Sequence, residues 1–449
     1  MIYRSLADFL EVLQESGELE RCDADVDPLG EAAQLARKIG RESGAAVLFS
    51  SVRGHDLPVV ANLFGSERRI FHALGGKTLS ELAERISQLI SPPNNEGILA
   101  KLLGSPQTNL LSKIAPRTVK SAPCQQIVRL GGDVDLFLLP LLQSAPAEQE
   151  RILPAAPFLF ADPDSGQPLS GRFDLQLLDR RRLAACFADY DEPARIWRAH
   201  LQRNEKMPLA VVLGGDPAFM LASAVVLPGN IDACALAGLL REKPLDMAAC
   251  RSIELMVPAE ADIVLEGDLD PQTPPVAAGP MLSPLGELIP ARLAPIMHVT
   301  AMTQRANPVY PAIVYGRPPH EASAIARAMK QIFLPVMKGV LEELVDYDLP
   351  EFAAARLWAS LSIRKSYAGQ VQRVAHAAAA LKPFWFAKWL VIVDAEIDVR
   401  DTAAVLAAMS ANVNPTRDMW MQPRVYDSYD PTATAESLGQ RMVIDATRK

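Results

Sequence analysis

Hydrophobic and polar positions follow two different periods along the chain, and the change of period divides it into three stretches. In residues 1–118, apolar positions recur at the spacing of one helix face, most clearly at 5–16 and 77–89. Short apolar runs at 45–50 and 57–65 predict two strands around a tight turn. The first stretch therefore predicts an N-terminal α/β domain.

The texture changes in residues 119–320, where short apolar runs are interrupted by Pro, Gly and Asp. Residues 158–161 precede the breaker-rich segment DPDSG, and residues 209–213 precede GGDP. A third run lies at 263–267, and residues 286–295 read as a loop. Many short strands with frequent turn signals predict a β-rich domain, either a sandwich or a barrel.

Residues 321–449 return to alternating helices and strands. Strands are predicted at 357–363 and 389–393, and helices at 322–333, at 371–381 and from about residue 402. A helix–strand–helix–strand order of this kind predicts a layered α/β domain.

Charge and composition narrow the function classes. The 449 residues carry a formal net charge of −8, which leaves no basic excess to neutralise nucleic-acid phosphates. No apolar run is long and uncharged enough to span a bilayer, so no membrane insertion is expected. The first residues read as an amphipathic helix rather than a signal peptide. The cytoplasm is the default location.

Neither cysteine nor histidine forms a metal-binding pattern. The five cysteines lie far apart in the chain, at Cys22, Cys124, Cys186, Cys234 and Cys250. Their spacing excludes a zinc knuckle or a CxxC motif and favours reduced thiols packed as small apolar residues. The six histidines are equally dispersed. No metal site built from these residues is expected.

An ordered set of short motifs resembles the UbiD family of carboxy-lyases over nearly the whole chain. The motifs are LADFL at 6–10, GELER at 17–21, VVANLFG at 59–65, LGGDPA at 213–218, AGLLR at 237–241, VPAEADIVLEG at 257–267, TQR at 303–305, GRPP at 316–319, IFLP at 332–335, YAG at 367–369 and IDAT at 444–447. A single motif would carry little weight, whereas the order of all of them is hard to produce by chance.

The resemblance implies a fold and a chemistry. It implies an N-terminal α/β domain (1–118), a central split β-barrel like that of flavin reductases (119–320) and a C-terminal α/β dimerisation domain (321–449). Active relatives decarboxylate aromatic or unsaturated acids without oxidation. They use prenylated FMN, held with a divalent metal such as manganese and with potassium.

The positions that match the family's catalytic Arg-Glu-Glu trio hold other residues. The arginine ends a Gly-x-Tyr-Arg pattern, which here reads GRFD and places Asp174 at that position. The first glutamate precedes Gly-Pro, where this chain has Ala278, and the second follows five residues later, at Ser283. An aspartate repels the substrate carboxylate that a guanidinium would bind. Neither alanine nor serine replaces a carboxylic acid as a proton donor.

The family's metal ligands are also replaced. They are an asparagine, a histidine and a glutamate, and the matching positions are Leu169, Glu192 and Ala233. Leucine and alanine offer no side-chain atom to a hard cation, and a carboxylate at 192 would repel the cofactor phosphate. No bound cofactor is expected unless the site works in an altered way.

Two residues are candidates for displaced catalytic groups. Arg172 lies two positions before Asp174 and shares its strand face, so it is a candidate for the missing guanidinium. Glu287 lies in the loop that carries the family's glutamates and is a candidate acid. The plainer interpretations, an ion-paired strand arginine and a solvated loop carboxylate, are favoured.

Three hypotheses follow, with the first favoured. The chain is a UbiD-like protein with a degenerate site, which acts as a structural or regulatory subunit. It would form a homodimer or a hetero-oligomer with a catalytic UbiD-like subunit. Alternatively, it is an active carboxy-lyase with an altered site that uses Arg172 and Glu287. As a third hypothesis, the vacated pocket binds a small ligand as a sensor.

Overall fold

The architecture is that of a computed structural model of the 449-residue chain. The residues that the structure describes are 3, 5–90, 114–148, 151–225, 232–430, 432 and 439–449. The chain forms two units, one of residues 1–77, 108–225 and 230–316 and the other of residues 78–107, 226–229 and 317–449. The three-domain bounds taken from the sequence stay a prediction.

The first helix begins at the capping residue that its sequence predicts. Ser5 precedes the first helix, and its Oγ accepts a hydrogen bond from the backbone N–H of Asp8 at 3.0 Å. Among the described residues the helices are α1 (Leu6–Glu15), α2 (Glu31–Glu42), α3 (Glu67–Ala73), α4 (Leu79–Ile90), α5 (Glu192–Arg203), α6 (Pro217–Ala222), α7 (Ala233–Arg241), α8 (Glu321–Val340), α9 (Gln370–Ala379) and α10 (Thr402–Asn412).

The first unit consists mostly of strands, and the second unit has one five-stranded sheet. Those of the first unit are β1 (Leu19–Val26), β2 (Ala46–Val52), β3 (Val59–Ala61), β4 (Arg117–Thr118), β5 (Ile127–Leu130), β6 (Ile152–Ala161), β7 (Pro168–Leu177), β8 (Arg182–Cys186), β9 (Met207–Leu213), β10 (Asp246–Ala249), β11 (Met256–Pro258), β12 (Ile263–Leu269), β13 (Val276–Ala278), β14 (Met281–Leu282), β15 (Leu288–Ile289), β16 (Arg292–Ala294), β17 (Ile296–Gln304) and β18 (Tyr310–Ala312). The second unit has β19 (Leu344–Asp348), β20 (Trp358–Ile363), β21 (Trp389–Asp394), β22 (Met419–Arg424) and β23 (Gly439–Asp445).

A closed six-stranded barrel forms the centre of the first unit. Its strands run in the order β12-β9-β6-β7-β8-β17, and β17 pairs back with β12 to close the ring. β5 extends the sheet along the part of β17 that β8 leaves free. The prediction of a sandwich or barrel at 119–320 is thus confirmed as a barrel. Its likeness to flavin reductases stays a prediction.

A smaller sheet in the same unit has the order β1-β2-β3-β18. Its strands β1 and β2 run parallel, and β2 and β3 form an antiparallel hairpin. The turn of this hairpin, residues 53–58, carries Gly54 at a φ of 81°.

The loop predicted at 286–295 is wrong in part. β15 and β16 lie inside it, and they pair with β14 and β13. These strands are two and three residues long, and Leu288 and Leu293 on them are exposed. Backbone pairing therefore forms them without the alternation of buried and exposed positions that predicts longer strands.

The second unit is a layered α/β structure, as its sequence pattern predicts. Its sheet has the order β19-β20-β21-β23-β22. Leu390 and Ile392 pack with α9 on one face, whereas Val391 and Val393 pack with α10 on the other. In the described ranges, no helix is long and apolar enough to cross a membrane.

Candidate functional site

Strand β7 has one apolar and one polar face. Leu169, Phe173, Leu175 and Leu177 belong to the buried core of the first unit. Because side chains on a strand alternate, the residues between them face the other way. That polar face carries Ser170, Arg172, Asp174 and Gln176. Arg172 and Asp174 share it, as the two-residue spacing predicts.

Asp174 is fully buried, and its carboxylate organises the neighbouring strand. Its Oδ1 accepts a hydrogen bond from the backbone N–H of Ala155 at 2.8 Å and another from the Tyr315 hydroxyl at 3.0 Å. Ala155 has a φ of 44° and lies at a register shift in β6. The carboxylate thus satisfies a backbone donor at a strained bulge.

Arg172 is anchored to the end of α6. Its Nε donates to Ser223 Oγ at 3.0 Å, and its Nη2 donates to the carbonyl oxygen of Met220 at 2.6 Å. These bonds join β7 to the helix end, where C-terminal carbonyl groups otherwise lack partners. The guanidinium therefore has an evident structural role.

Ala278 and Ser283, which the sequence motifs match to the family's two glutamates, follow one another in a folded loop. Ala278 is fully buried at the end of β13. The next residue, Gly279, donates its backbone N–H to Gln176 Oε1, which places Ala278 beside the polar face of β7. Ser283 is also buried, and its Oγ accepts from the backbone N–H groups of Leu285 at 3.2 Å and Glu287 at 3.3 Å. Its hydroxyl is therefore used to shape the turn between β14 and β15.

Glu287 ends this turn, and its side chain is exposed. Its backbone carbonyl accepts from the N–H of Ser283 at 2.8 Å. The backbone of Glu287 is thus part of the turn while the side chain faces solvent. Its assignment as a catalytic acid stays a prediction.

Two further charged residues lie close to these positions, and the sequence interpretation missed both. Glu148 is buried, and its Oε1 accepts from the backbone N–H of Leu282 at 2.8 Å, next to Ser283. Arg292 pairs across the sheet with Ala278 and donates to the carbonyl oxygen of Cys186 at 2.5 Å. Neither residue belongs to a sequence motif. Strand pairing places Arg292 beside Ala278, and a long-range contact with the backbone of Leu282 places Glu148 beside Ser283.

Cys186 lies opposite Asp174 on β8. Burial raises the pKa of its thiol to about 12. The group therefore stays protonated at neutral pH and is a poor nucleophile.

The segments that carry Leu169, Glu192 and Ala233, which the sequence motifs match to the family's metal ligands, meet at one part of β7. The N–H of Ala233, at the start of α7, donates to Ser170 Oγ at 3.2 Å, beside Leu169. Pro193, next to Glu192 at the start of α5, lies 3.6 Å from the point that a Cβ on Gly171 would occupy. The fold thus brings the three segments together.

The side chains at these positions do not fit a divalent cation. Leu169 and Ala233 have no ligand atom, and Leu169 packs in the apolar core. The Glu192 carboxylate pairs with Arg195, whose Nη2 also binds Asp162 at 2.7 Å. This pairing weakens the repulsion expected between Glu192 and a phosphate. In the described part of the chain, no group of three His, Cys, Asp or Glu residues is arranged to hold a metal.

Comparison with known proteins agrees with the motifs. Three family models match, described as the N-terminal, Rift-related and C-terminal domains of 3-octaprenyl-4-hydroxybenzoate carboxy-lyase, over residues 10–90, 117–318 and 323–446. The chain is 33% identical over 450 residues to an uncharacterized protein of Aquifex aeolicus, and the match covers 100% of this chain and 92% of that one. It is 32% identical over 452 residues to an uncharacterized protein of Archaeoglobus fulgidus, with the same coverage.

Solved structures share the fold. The vanillic acid decarboxylase of Sedimentibacter hydroxybenzoicus, in its closed form, superposes with a TM-score of 0.88 at 23% identity, covering 100% of this chain and 93% of that one. The UbiD-class enzyme HmfF of Pelotomaculum thermopropionicum, in complex with FMN, gives a TM-score of 0.81 at 24% identity, covering 99% and 94%.

The closed barrel and the separate α/β unit define a UbiD-type carboxy-lyase fold. The family models cover most of the chain and all three of its stretches. The chain belongs to the UbiD family.

Proposed function

We propose that this protein is a UbiD-family member that does not catalyse decarboxylation by the family's chemistry and acts as a structural or regulatory subunit. The observation that carries the proposal is the state of Asp174. At the position of the substrate-binding arginine, the chain has a buried carboxylate that accepts bonds from Ala155 and Tyr315. A substrate carboxylate at this position would meet a second carboxyl group instead of a guanidinium.

The two glutamate positions support the same proposal. Ala278 has no titratable group, and the Ser283 hydroxyl accepts two backbone N–H groups. Replacing a carboxyl group by hydrogen requires a group that donates a proton at neutral pH, and neither residue has such a group. The residues at the metal positions are similarly unsuited to manganese, so no step through a cofactor is assigned to this chain.

An active site that uses Arg172 and Glu287 is the alternative. It requires Arg172 to leave Ser223 and Met220, to which it donates at 3.0 and 2.6 Å. It also requires Glu287, whose side chain is exposed, to donate the proton that replaces the carboxyl group. Prenylated FMN, manganese and potassium belong to this alternative.

The proposed subunit role needs a partner. HmfF of Pelotomaculum thermopropionicum has an evolved dimeric form, and the vanillic acid decarboxylase ShVdcCD of Sedimentibacter hydroxybenzoicus includes ShVdcD. By analogy we propose a homodimer, or a hetero-oligomer with a catalytic UbiD-like subunit. Cyclic dimers are also the commonest closed assembly of soluble proteins.

An absorption spectrum with metal analysis tests the proposal. The protein is purified after expression alone and after co-expression with a flavin prenyltransferase. The expected result is a folded protein without a flavin band and without stoichiometric manganese in both preparations. A flavin band with near-stoichiometric manganese would reject the non-catalytic assignment and favour the Arg172 alternative.

A further inference from the structure

A cavity of about 570 Å³ lies in the first unit, between the β2–β3 hairpin and the edge of the barrel sheet. Ligand sites typically occupy roughly 300–1,000 Å³, so this volume suits a small molecule. Its lining includes His55 and Asp56 from the hairpin turn, Arg129 from β5, and Gln304 and Asn307 from the segment that leaves β17. None of the positions that match the family's catalytic or metal residues lines it.

Arg129 is the main polar group of this cavity. Its Nη1 donates to Gln304 Oε1 at 3.1 Å. Across the described ranges, it makes no ion pair with a carboxylate. A half-buried guanidinium has five donors, and one amide oxygen uses only part of them. The remaining N–H groups of the Arg129 guanidinium can donate to an anionic group in the cavity.

His55 adds a second unmet polar atom. Its Nδ1 is buried and has no hydrogen-bond partner among the residues that the structure describes. The ring also bonds to the backbone of Leu138, and burial lowers the pKa of His55, so the ring is neutral at pH 7. A buried unpaired acceptor is costly unless a ligand or water donates to it.

The charges around the cavity favour a monoanion. Arg151 lies close enough to lower the pKa of His55, and it adds positive potential to that of Arg129. Asp56 lies on the same wall and opposes a second negative charge on the ligand. The apolar wall includes Leu57 and Leu138 and suits an organic body rather than a bare inorganic ion.

We propose that this cavity binds a small organic carboxylate, whose oxygens pair with the Arg129 guanidinium while a polar group of the ligand or a water faces His55. A planar guanidinium matches a carboxylate through two parallel hydrogen bonds. The assignment is independent of the chemistry at β7, so it holds whether or not the protein decarboxylates anything.

Benzoate and benzamide form a matched pair of probes, because they share a ring and differ in charge. Binding to the full chain is measured by calorimetry and by ligand-observed NMR. Benzoate is expected to bind saturably, and benzamide at least about tenfold more weakly, which corresponds to roughly 1.4 kcal/mol. Inorganic phosphate is expected to compete poorly because of Asp56.

Variants assign the binding to this cavity. Arg129→Gln is expected to weaken benzoate binding at least about tenfold and to leave benzamide unchanged. Leu138→Trp fills the cavity from a side chain that is 41% exposed, so it tests the site without touching the core. Arg198→Gln, an exposed arginine on α5 outside the lining, is the control and is expected to bind benzoate normally.

Several results would overturn the proposal. They are an absence of saturable benzoate binding, equal binding of benzamide, tighter binding of phosphate, or undiminished benzoate binding by folded Arg129→Gln and Leu138→Trp variants. Circular dichroism and thermal unfolding establish that each variant is folded. If Arg129→Gln does not fold, the Leu138→Trp result decides.

Discussion

Asp174 is a fully buried carboxyl group that the barrel accommodates through hydrogen bonds. An isolated buried carboxylate is strongly destabilising, but hydrogen bonds to its oxygens offset the lost hydration. Here Ala155 N–H and the Tyr315 hydroxyl supply two of them. Asp174 is thus part of the hydrogen-bonded framework of the barrel.

Removing the Tyr315 hydroxyl tests this role. Tyr315→Phe deletes a donor to a buried carboxylate and is expected to lower the free energy of unfolding by about 1–3 kcal/mol. Urea unfolding of both proteins measures the change.

Tyr310→Phe is the matched control. Tyr310 is buried in the same unit, and its hydroxyl has no hydrogen-bond partner in the ranges that the structure describes. Its loss is expected to change the free energy of unfolding by less than about 0.5 kcal/mol. Equal effects of the two substitutions would mean that the Tyr315–Asp174 bond contributes nothing specific.

At the scale of elements, the turn after β9 is held by two glycines and one buried aspartate. Gly214 and Gly215 have φ values of 72° and 90°, and the Gly215 N–H donates to Asp262 Oδ2 at 2.7 Å. A Cβ on Gly215 would lie 2.7 Å from the carbonyl oxygen of Glu260. The motif GGDP is therefore a strand-end turn.

Gly215→Ala is expected to destabilise the barrel. Backbone strain contributes about 1–2 kcal/mol, and the clash with a rigid backbone raises the total above about 3 kcal/mol. Gly166→Ala separates the two causes, because Gly166 has a φ of 68° with no atom within 4 Å of the added Cβ. Thermal unfolding of both variants measures the difference. Equal losses of stability in the two variants would show that the backbone around Gly215 shifts and relieves the clash.

Asp262 gives the same turn a pH dependence. Burial raises the pKa of its carboxyl group from 3.8 to about 6, against the opposing effect of hydrogen bonds from Val309 and Gly215 and of the charge of Arg305. The folded state therefore binds a proton in a range where the unfolded chain has lost it. Stability contributed by this group is present below about pH 4 and is lost as pH rises through about 6.

The comparison with Asp262→Asn isolates this contribution, since other carboxylates titrate in both proteins. The free energy of unfolding of the natural protein minus that of the variant is expected to fall between about pH 4 and 6. Urea unfolding at each pH measures it. A difference that rises with pH would mean that the hydrogen bonds outweigh burial.

Sequence patterns predict those elements in which buried positions recur regularly over many residues. α1 buries Leu6, Phe9, Leu10 and Leu13 on one face, and its limits match the predicted helix within a residue at each end. β15 and β16 were not predicted, because strands of two or three residues are too short to show a regular alternation of buried and exposed positions. The site was harder to predict. The Tyr315–Asp174 bond joins residues 141 positions apart, which no local pattern encodes.

At the scale of the whole molecule, fold and chemistry are separable. The core of the barrel is built from apolar residues on the inward face of its strands, and Asp174, Ala278 and Ser283 do not belong to that core. A fold can keep the residues that specify its core while the residues at a few other positions, and the chemistry that they support, change. Motifs spread over the whole chain therefore predict the family, whereas activity depends on the residues at only a few positions.

Release of CO2 tests the central claim most directly. Protein co-expressed with a flavin prenyltransferase is supplied with a panel of aromatic and unsaturated carboxylic acids, and CO2 is measured over time. We predict no release above that of heat-inactivated protein for every acid. Turnover that is abolished by Arg172→Gln would contradict the account and would assign this chain an active, rearranged site.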